Sequence, residues 1–247
     1  YALEPGEYVL HEEQAPTEQG YVRAEDVKFV VEETVDVQKV KMEDDHTKVS
    51  ISKTDITDGK EIEGAKLQIL DQDGEVVESW TTGEEHLIEY LPVGTYTLHE
   101  EAAVDGYIVA NDVEFTVEET GEIQKVKMED ERAMGQLVIV KTDTDSKAAL
   151  EGVEFVLLEK ETGEEVGRLK TGKDGKAVSE LLPIGTYENG VFKEPITYVL
   201  KETATLKGYE KTEEEWEIVF TYQNDKTPVI EVVKEIQNKK YQKHQVP

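Results

Sequence analysis

The amino-acid sequence predicts an all-β protein built from tandem β-sandwich domains. One observation is that several short motifs recur along the chain at a fixed interval. A second is that short segments rich in valine, isoleucine, threonine and tyrosine alternate between apolar and polar residues and are bounded by turns such as DQDGE and GKDGK. Such alternation is typical of half-buried antiparallel strands, and apolar stripes of helical period are scarce.

The repeated motifs show that the domains are arranged in tandem. KTD occurs at residues 53–55 and 141–143, and LHEE occurs at residues 10–13 and 98–101. The two motifs recur at the same interval, which is unexpected for chance matches. The interval is too long for a solenoid repeat and suits a compact β-domain.

Three domains of unequal completeness follow from these repeats. Residues 1–46 carry only the second half of the pattern, so we expect them to be the C-terminal half of a domain whose first half lies upstream of this sequence. Residues 47–132 form one complete domain. Residues 133–247 form a second, longer domain with an insertion around residues 188–195 and a locally basic linker or tail, KKYQKHQVP, at residues 239–247.

The composition argues against several classes of function. The chain has 56 acidic and 27 basic residues and a formal net charge of -29, which disfavours binding to nucleic acid or to an anionic membrane surface. It contains no cysteine, so disulfides and thiolate metal sites are not available. No apolar run approaches the length of a membrane span. No cofactor is expected.

Three motifs resemble metal sites, and all three are better explained as ordinary surface structure. LHEE places His11 and His99 next to acidic residues, but the last domain has LKET there, and strand alternation puts His99 on the face opposite Glu100. DQDGEV and DTDSK resemble calcium loops but lack the full set of ligands. We interpret the first motif as a solvated strand face and the other two as turns, so no metal site is predicted.

Polar residues occur at strand positions whose alternation directs them into the core. In VSISK, the lysine shares its face with Val49 and Ile51, and a buried ammonium without a partner is costly. The same alternation directs a glutamate and a terminal Asp or Asn inward in each complete domain. The six residues are Lys53, Glu100 and Asp130 in the middle domain and Lys141, Glu202 and Asn238 in the last. Lys234 interrupts the apolar positions that precede Asn238.

Two simpler explanations exist for each of these six residues. The ends of strands are often solvated, so a polar residue there can leave the core. Alternatively, a lysine and a carboxylate can form a plain buried ion pair, which stabilises little and needs no function. The recurrence of three residue types in the same order in two domains argues against the first explanation, and the second stays open.

These motifs resemble the B-type Cna domains, also called SpaA-type or prealbumin-like domains, of Gram-positive pilins and surface adhesins. The resemblance rests on the KTD start, the strands GAKLQI and GVEFVL, the LPVGTY and LPIGTY segments, and the blocks EEAAVDGY and ETATLKGY. It covers nearly the whole chain and implies reverse-immunoglobulin-like β-sandwiches. Many such domains form a spontaneous isopeptide bond between a first-strand lysine and a last-strand Asp or Asn, promoted by a glutamate.

The resemblance implies two crosslinks, Lys53 to Asp130 with Glu100 assisting and Lys141 to Asn238 with Glu202 assisting. Glu12 and Asp44 are the matching orphan positions of the truncated domain, which lacks a lysine and cannot form the bond within this chain. The chemistry is physically reasonable, because desolvation favours a neutral amine, which can attack a side-chain carbonyl while a carboxyl group moves protons. Each bond forms once, so this is self-modification rather than enzymatic turnover.

The sequence therefore predicts a structural stalk or spacer of a Gram-positive cell-surface adhesin or pilus protein. We expect it outside the cell, attached to the cell wall through parts beyond this sequence, with neighbouring domains of the same protein as partners. No pilin-type lysine motif is recognisable, which favours an adhesin stalk over a fibre-forming pilin. The alternative is an adhesive module whose insertion at 188–195 contacts a host protein or glycan. An enzyme is least favoured, because no further nucleophile–base constellation is present.

Overall fold

The computed structural model describes residues 3–241 and confirms the all-β fold. The strands of the first half are β1 Gly6–Leu10, β2 Tyr21–Val22, β3 Val27–Val31, β4 Asp45–His46, β5 Lys48–Asp55, β6 Lys66–Leu70, β7 Val76–Thr81, β8 His86–Glu89, β9 Gly94–Ala102, β10 Tyr107–Ile108, β11 Val113–Val117 and β12 Ile123–Arg132. Those of the second half are β13 Met134–Asp143, β14 Glu154–Glu159, β15 Glu165–Lys170, β16 Lys176–Val178, β17 Leu182–Pro183, β18 Gly185–Glu188, β19 Val191–Pro195, β20 Thr197–Ala204, β21 Glu215–Val219 and β22 Val229–Asn238. Over residues 3–241 the one helical element is the 3₁₀ turn Thr17–Gln19. Most of the predicted tail, from residue 242, lies outside the described residues.

The chain divides into two compact units. The first contains the residues up to 102 together with residues 110–129. The second contains residues 103–109 and the residues from 130 onward.

The first unit contains a β-sandwich. One sheet contains β12, β5 and β8 in that order, and the other contains β11, β9, β6 and β7. Apolar side chains from both sheets meet in one buried cluster, which includes Ile51 from β5, Met128 from β12, and Leu67, Ile69 and Leu98 from the facing sheet. The period-two alternation that predicted these strands is explained by this arrangement, since one face of each sheet covers the core.

The residues before 47 form smaller pairs of strands. β1 pairs antiparallel with β3, and β2 pairs with β4. The hexapeptide KVKMED lies within β12 at residues 125–130 but forms no strand at residues 39–44. Just before the copy at residues 39–44, Val35 and Val37 are almost fully exposed. A strand requires a neighbour for its backbone groups, and the residues around 39–44 are not paired as β12 is with β5.

The second unit contains a larger sandwich. β13 pairs antiparallel with β16 and β17 and pairs in parallel with β22 along its whole length. The facing sheet has the order β15, β14, β20 and β21. The core between the two sheets includes Leu137, Ile139, Phe155, Leu200 and Ile236.

The predicted insertion of the last domain is a β-hairpin. β18 and β19 pair antiparallel, and Asn189 and Gly190 connect them with φ angles of 52° and 69°. Two successive residues with positive φ are typical of a type I′ turn, which Asn-Gly favours. Tyr187 and Phe192 lie on the two strands of the hairpin with their rings 5.5 Å apart, and Tyr187 also contacts the ring of Tyr107 at 5.2 Å.

Candidate functional site: buried lysine, glutamate and amide side chains

The six polar residues that alternation directs inward are all buried. Their exposed fractions are 1% for Lys53, 2% for Glu100, 0% for Asp130, 0% for Lys141, 3% for Glu202 and 2% for Asn238. Solvated strand ends therefore do not account for them. Each lies in the C-terminal half of its strand, and each is buried.

The first and last strands of the second unit bring Lys141 and Asn238 together. In the parallel pair, Lys141 of β13 lies opposite Ile236 of β22, and Asn238 follows two residues later. Since residues two apart in a strand share a face, Ile236 and Asn238 both point into the core on the side of Lys141.

Three side chains make contact at this point. Lys141 Nζ donates a hydrogen bond of 2.5 Å to Asn238 Oδ1. The amide nitrogen of Asn238 donates a hydrogen bond of 2.7 Å to Glu202 Oε1. Glu202 Oε2 is 3.0 Å from Lys141 Nζ, which closes a triangle of contacts. Glu202 comes from β20 in the facing sheet, so the triangle spans the core of the sandwich.

Burial makes the neutral form of Lys141 easier to reach than it is for a lysine in water. Burial lowers the pKa of this ammonium below the usual value of lysine, and the hydrogen bond and charge of Glu202 oppose the shift without cancelling it. The ring of Phe155 forms part of the wall, with its centroid 5.9 Å from Nζ. A neutral amine is a nucleophile, whereas an ammonium is not.

The arrangement can support one chemical step. Transfer of a proton from Lys141 to Glu202 would give a neutral amine in contact with the amide group of Asn238. Attack of the amine on the amide carbon, return of the proton to the amide nitrogen and loss of one further proton from the attacking amine to the departing ammonia would release an ammonium ion and leave a secondary amide. The strands hold the reacting groups in contact, which supplies the effective concentration that free groups in solution lack.

The first unit contains a second buried lysine–glutamate pair. Lys53 Nζ on β5 is 3.0 Å from Glu100 Oε2 on β9. The same oxygen accepts a hydrogen bond of 2.6 Å from the backbone N–H of Ala110, which fixes the glutamate. Asp130 is fully buried on β12.

The two orphan positions of the truncated domain are less buried than their counterparts in the complete domains. Glu12 is half-buried, and its Oε2 accepts a hydrogen bond of 2.8 Å from the backbone N–H of Ala24. This resembles the contact between Glu100 and Ala110. Asp44 is exposed and lies outside any strand. The glutamate of the repeated pattern is therefore held in place here, whereas the aspartate is not buried.

Two side-chain contacts in the second unit were not predicted. Thr205, which directly follows β20, accepts a second hydrogen bond from the amide nitrogen of Asn238 at 2.8 Å. Alternation along a strand cannot identify a residue beyond the end of that strand. Lys234, which interrupts the apolar positions of β22, places its Nζ 5.8 Å from the ring centroid of Trp216. A long aliphatic stem and a cation–π contact let a lysine occupy that position.

Among the residues described, no group of three or more His, Cys, Asp or Glu side chains is placed to hold a metal ion. His11 and His99 instead contact nearby aspartates, with Nδ1 2.6 Å from Asp26 Oδ1 and 2.7 Å from Asp112 Oδ1. In the same part of the chain, no helix has the length and apolar character that crossing a bilayer requires.

Comparison with known proteins identifies the family. The family model described as SpaA, prealbumin-like fold domain, matches residues 47–132 and 135–236, so the chain belongs to this family. The resemblance inferred from the motifs and the tandem domain fold are both confirmed. No curated protein matches the chain.

Several solved structures are similar to the chain. The Bacillus anthracis TIE protein is 30% identical, with a TM-score of 0.59, over 96% of this chain and 43% of that one. This chain thus spans less than half the length of that relative. A streptococcal ancillary pilin is 19% identical, with a TM-score of 0.36, over 98% of this chain and 77% of that one. GBS52, the minor pilin of Streptococcus agalactiae, is 20% identical, with a TM-score of 0.36, over 81% of this chain and 99% of that one.

Proposed function

We propose that the chain is a load-bearing stalk or spacer segment of a Gram-positive cell-surface adhesin or pilus protein, locked by internal isopeptide bonds. One bond joins Lys141 to Asn238, and the other joins Lys53 to Asp130. The observation that carries this proposal is the buried contact of Lys141 Nζ with both the Asn238 amide and the Glu202 carboxyl.

Family membership supports a surface role for the chain. Its domains belong to the prealbumin-like SpaA family, and nearly the whole of this chain is similar to part of the TIE protein of Bacillus anthracis. In the proposed function the chain lies outside the cell and is attached to the cell wall through other parts of its protein. Its partners are the neighbouring domains of that protein, and it binds neither nucleic acid nor membrane. The domains span residues 47–132 and 133–247, preceded by a half domain at 1–46.

The strand order suits a segment that bears tension. Force applied along the chain enters the second domain through β13 and leaves through β22, and these strands are parallel neighbours. A bond from Lys141 to Asn238 joins them near their C-terminal ends. Tension then passes through one side-chain amide and bypasses the chain between the two positions, which are 97 apart in the sequence.

The bonds also stabilise the fold without force. By analogy with disulfides, closing a loop of 97 residues contributes about 4–5 kcal/mol, mainly by restricting the unfolded chain. In a chain with no cysteine, an amide crosslink takes the place of a disulfide.

Single-molecule stretching tests the load-bearing function. In the wild type, we expect the second domain to resist full extension at every force below rupture of a covalent bond. In the Lys141→Ala variant, the same domain should release an additional length of roughly 330 Å, which is 97 residues at about 3.4 Å each. Lys176→Ala, which removes an exposed lysine of β16, is the matched control and should behave as the wild type. Equal extension of wild type and Lys141→Ala would contradict the proposal.

The alternative function, adhesion through the insertion hairpin, has less support. The aromatic side chains of the hairpin face the protein: Tyr187 Oη donates a hydrogen bond of 2.8 Å to the backbone oxygen of Gly106, and Phe192 packs against the core. The hairpin exposes mainly polar residues, including Glu188 and Lys193. Binding of host proteins and glycans by the last domain but not by the middle domain would favour this alternative.

A further inference from the structure

Both hydrogens on the amide nitrogen of Asn238 have acceptors. One hydrogen bond goes to Glu202 Oε1 at 2.7 Å and the other to Thr205 Oγ1 at 2.8 Å. The carbonyl oxygen of the same amide faces Lys141 Nζ. The proposed reaction breaks the bond between the amide carbon and this nitrogen, so the hydroxyl of Thr205 touches the leaving group.

Charge develops on this nitrogen during the proposed step. It is a neutral amide nitrogen at the start, and it takes up a proton before it leaves as ammonia. Hydrogen bonds from a positively charged nitrogen are shorter and stronger than those from a neutral one. The contact with Thr205 therefore strengthens as the bond breaks, and an interaction that is stronger in the transition state than in the ground state accelerates a reaction.

The repeats show where such an acceptor is present. Three residues after the glutamate, the last domain has Thr205, whereas the middle domain has Ala103 and the truncated domain has Ala15. In the two domains with alanine the residue in the place of Asn238 is Asp130 or Asp44, and a carboxyl group loses its hydroxyl as water and carries no N–H. The hydroxyl is therefore found in the domain whose leaving group is ammonia.

We propose that Thr205 is a catalytic residue of the crosslinking site in the last domain, specific for an asparagine partner. This inference rests on the proposed function, since it assigns a role within the same reaction. Thr205 accepts the N–H that Glu202 does not engage, which holds the amide with its carbonyl oxygen towards Lys141. It then stabilises the nitrogen as this nitrogen becomes protonated.

The step balances without a further reactant. Glu202 takes one proton from the Lys141 ammonium, and the lone pair of the neutral amine forms the new bond to the Asn238 amide carbon. Glu202 returns the proton to the amide nitrogen, while the second proton of the attacking amine also moves to the nitrogen side. The old carbon–nitrogen bond breaks, and the departing ammonia carries both protons away as one ammonium ion for each amide formed, so the positive charge of the original Lys141 ammonium leaves with it and Glu202 is again a carboxylate.

Two substitutions at one position separate the hydrogen bond from packing. Thr205→Val keeps the shape of the side chain and removes the acceptor, whereas Thr205→Ser keeps the acceptor and removes a methyl group. The wild type and both variants are synthesised in a cell-free system, and samples are quenched in denaturant over time. Protease digestion and mass spectrometry then measure the linked Lys141–Asn238 peptide and, in the same molecules, the linked Lys53–Asp130 peptide as an internal reference.

We expect Thr205→Val to slow the Lys141–Asn238 bond about tenfold, which corresponds to one hydrogen bond of about 1.4 kcal/mol. The rate for Thr205→Ser should stay close to that of the wild type, and the Lys53–Asp130 bond should be unaffected in both variants.

The remaining outcomes distinguish a failure of the role of Thr205 from a failure of the proposed function. A wild-type rate in Thr205→Val, a slow rate in Thr205→Ser, or equal slowing of both bonds would overturn the role of Thr205 and leave the proposed function intact. Absence of both linked peptides in the wild type would overturn the proposed function and this inference together.

Discussion

At the scale of single residues, the contacts of the second-unit site offset the free-energy cost of burying the Lys141 ammonium. An ammonium removed from water is destabilising unless it is paired, and Lys141 has Glu202 and the Asn238 carbonyl as partners. Formation of an amide would eliminate the charge altogether. A plain buried ion pair explains the contact between Lys141 and Glu202, but it does not require an amide carbonyl in contact with the same nitrogen.

Substitution of Glu202 by Gln tests the role of proton transfer. Gln keeps the size of the side chain but cannot take a proton from Lys141. We expect formation of the Lys141–Asn238 bond to slow at least about 100-fold, as measured by the time course of mass loss under denaturing conditions. Glu194→Gln, an exposed position on β19, is the control and should react normally. Complete crosslinking of Glu202→Gln on the wild-type time scale would show that the carboxyl is not needed.

We expect Asp143 to make the stability of the last domain sensitive to acid. Its carboxylate accepts hydrogen bonds from the backbone N–H and the hydroxyl of Ser146 and from the backbone N–H of Asp145, and these bonds hold its pKa well below the usual range. A group whose pKa is lowered by folding stabilises the fold above its unfolded pKa and loses this contribution as the pH falls.

We therefore expect Asp143→Asn to be less stable than the wild type at pH 7, with a difference that shrinks below about pH 4. Urea midpoints measured across this range provide the test, and Asp174→Asn, in an exposed turn, is the control. A difference that is independent of pH would contradict this account of Asp143.

At the scale of elements, identical sequence does not give identical structure. KVKMED is part of β12 at residues 125–130 and forms no strand at 39–44. β12 has a hydrogen-bonded neighbour in β5, the strand that carries the KTD motif. The intrinsic strand preference of a short segment is thus weaker than the effect of a paired neighbour.

The insertion hairpin is expected to stabilise the segment 103–109. Gly106 has φ of +89°, and a Cβ there would lie 2.8 Å from both Phe192 Cδ2 and Tyr187 Oη, so hairpin and segment are in close contact. Phe192→Ala should lower the free energy of unfolding by about 2 kcal/mol, less than for a fully buried phenylalanine.

Hydrogen exchange at residues 107–109 should increase in the same variant. Lys193→Ala changes an exposed neighbour and should have little effect on either measurement. Unchanged exchange in Phe192→Ala would mean that the hairpin does not hold this segment.

The period of a β-strand explains what could be predicted from the sequence. Lys53 and Lys141 share their strand faces with buried apolar residues, so their burial follows from alternation alone. Contacts made by tertiary approach were not predictable in this way. Thr205 reaches Asn238 from beyond the end of β20, and Lys234 is accommodated by Trp216 on another strand. The insertion was visible from its length, whereas the packing of its aromatic residues was not.

At the scale of the whole molecule, crosslinking should account for a large share of the stability. Lys141→Met together with Glu202→Gln removes both charges of the second-unit pair and prevents the bond without leaving an unpaired ion. We expect this double variant to lose about 4–5 kcal/mol of unfolding free energy, measured by denaturant titration of the last domain. Lys160→Met with Glu217→Gln removes an exposed pair of the same type and is the control. A double variant as stable as the wild type would contradict a covalent crosslink.

The central claim, that the chain crosslinks itself, is tested most directly by the intact mass of the purified chain under denaturing conditions. We predict a deficit of one water and one ammonia relative to the sequence. Lys53→Ala should abolish the water loss, and Lys141→Met should abolish the ammonia loss. An ammonia loss that persists in Lys141→Met would instead indicate cyclisation elsewhere, for example at Asn189–Gly190. A mass equal to that of the sequence would contradict the account and leave two ordinary buried ion pairs.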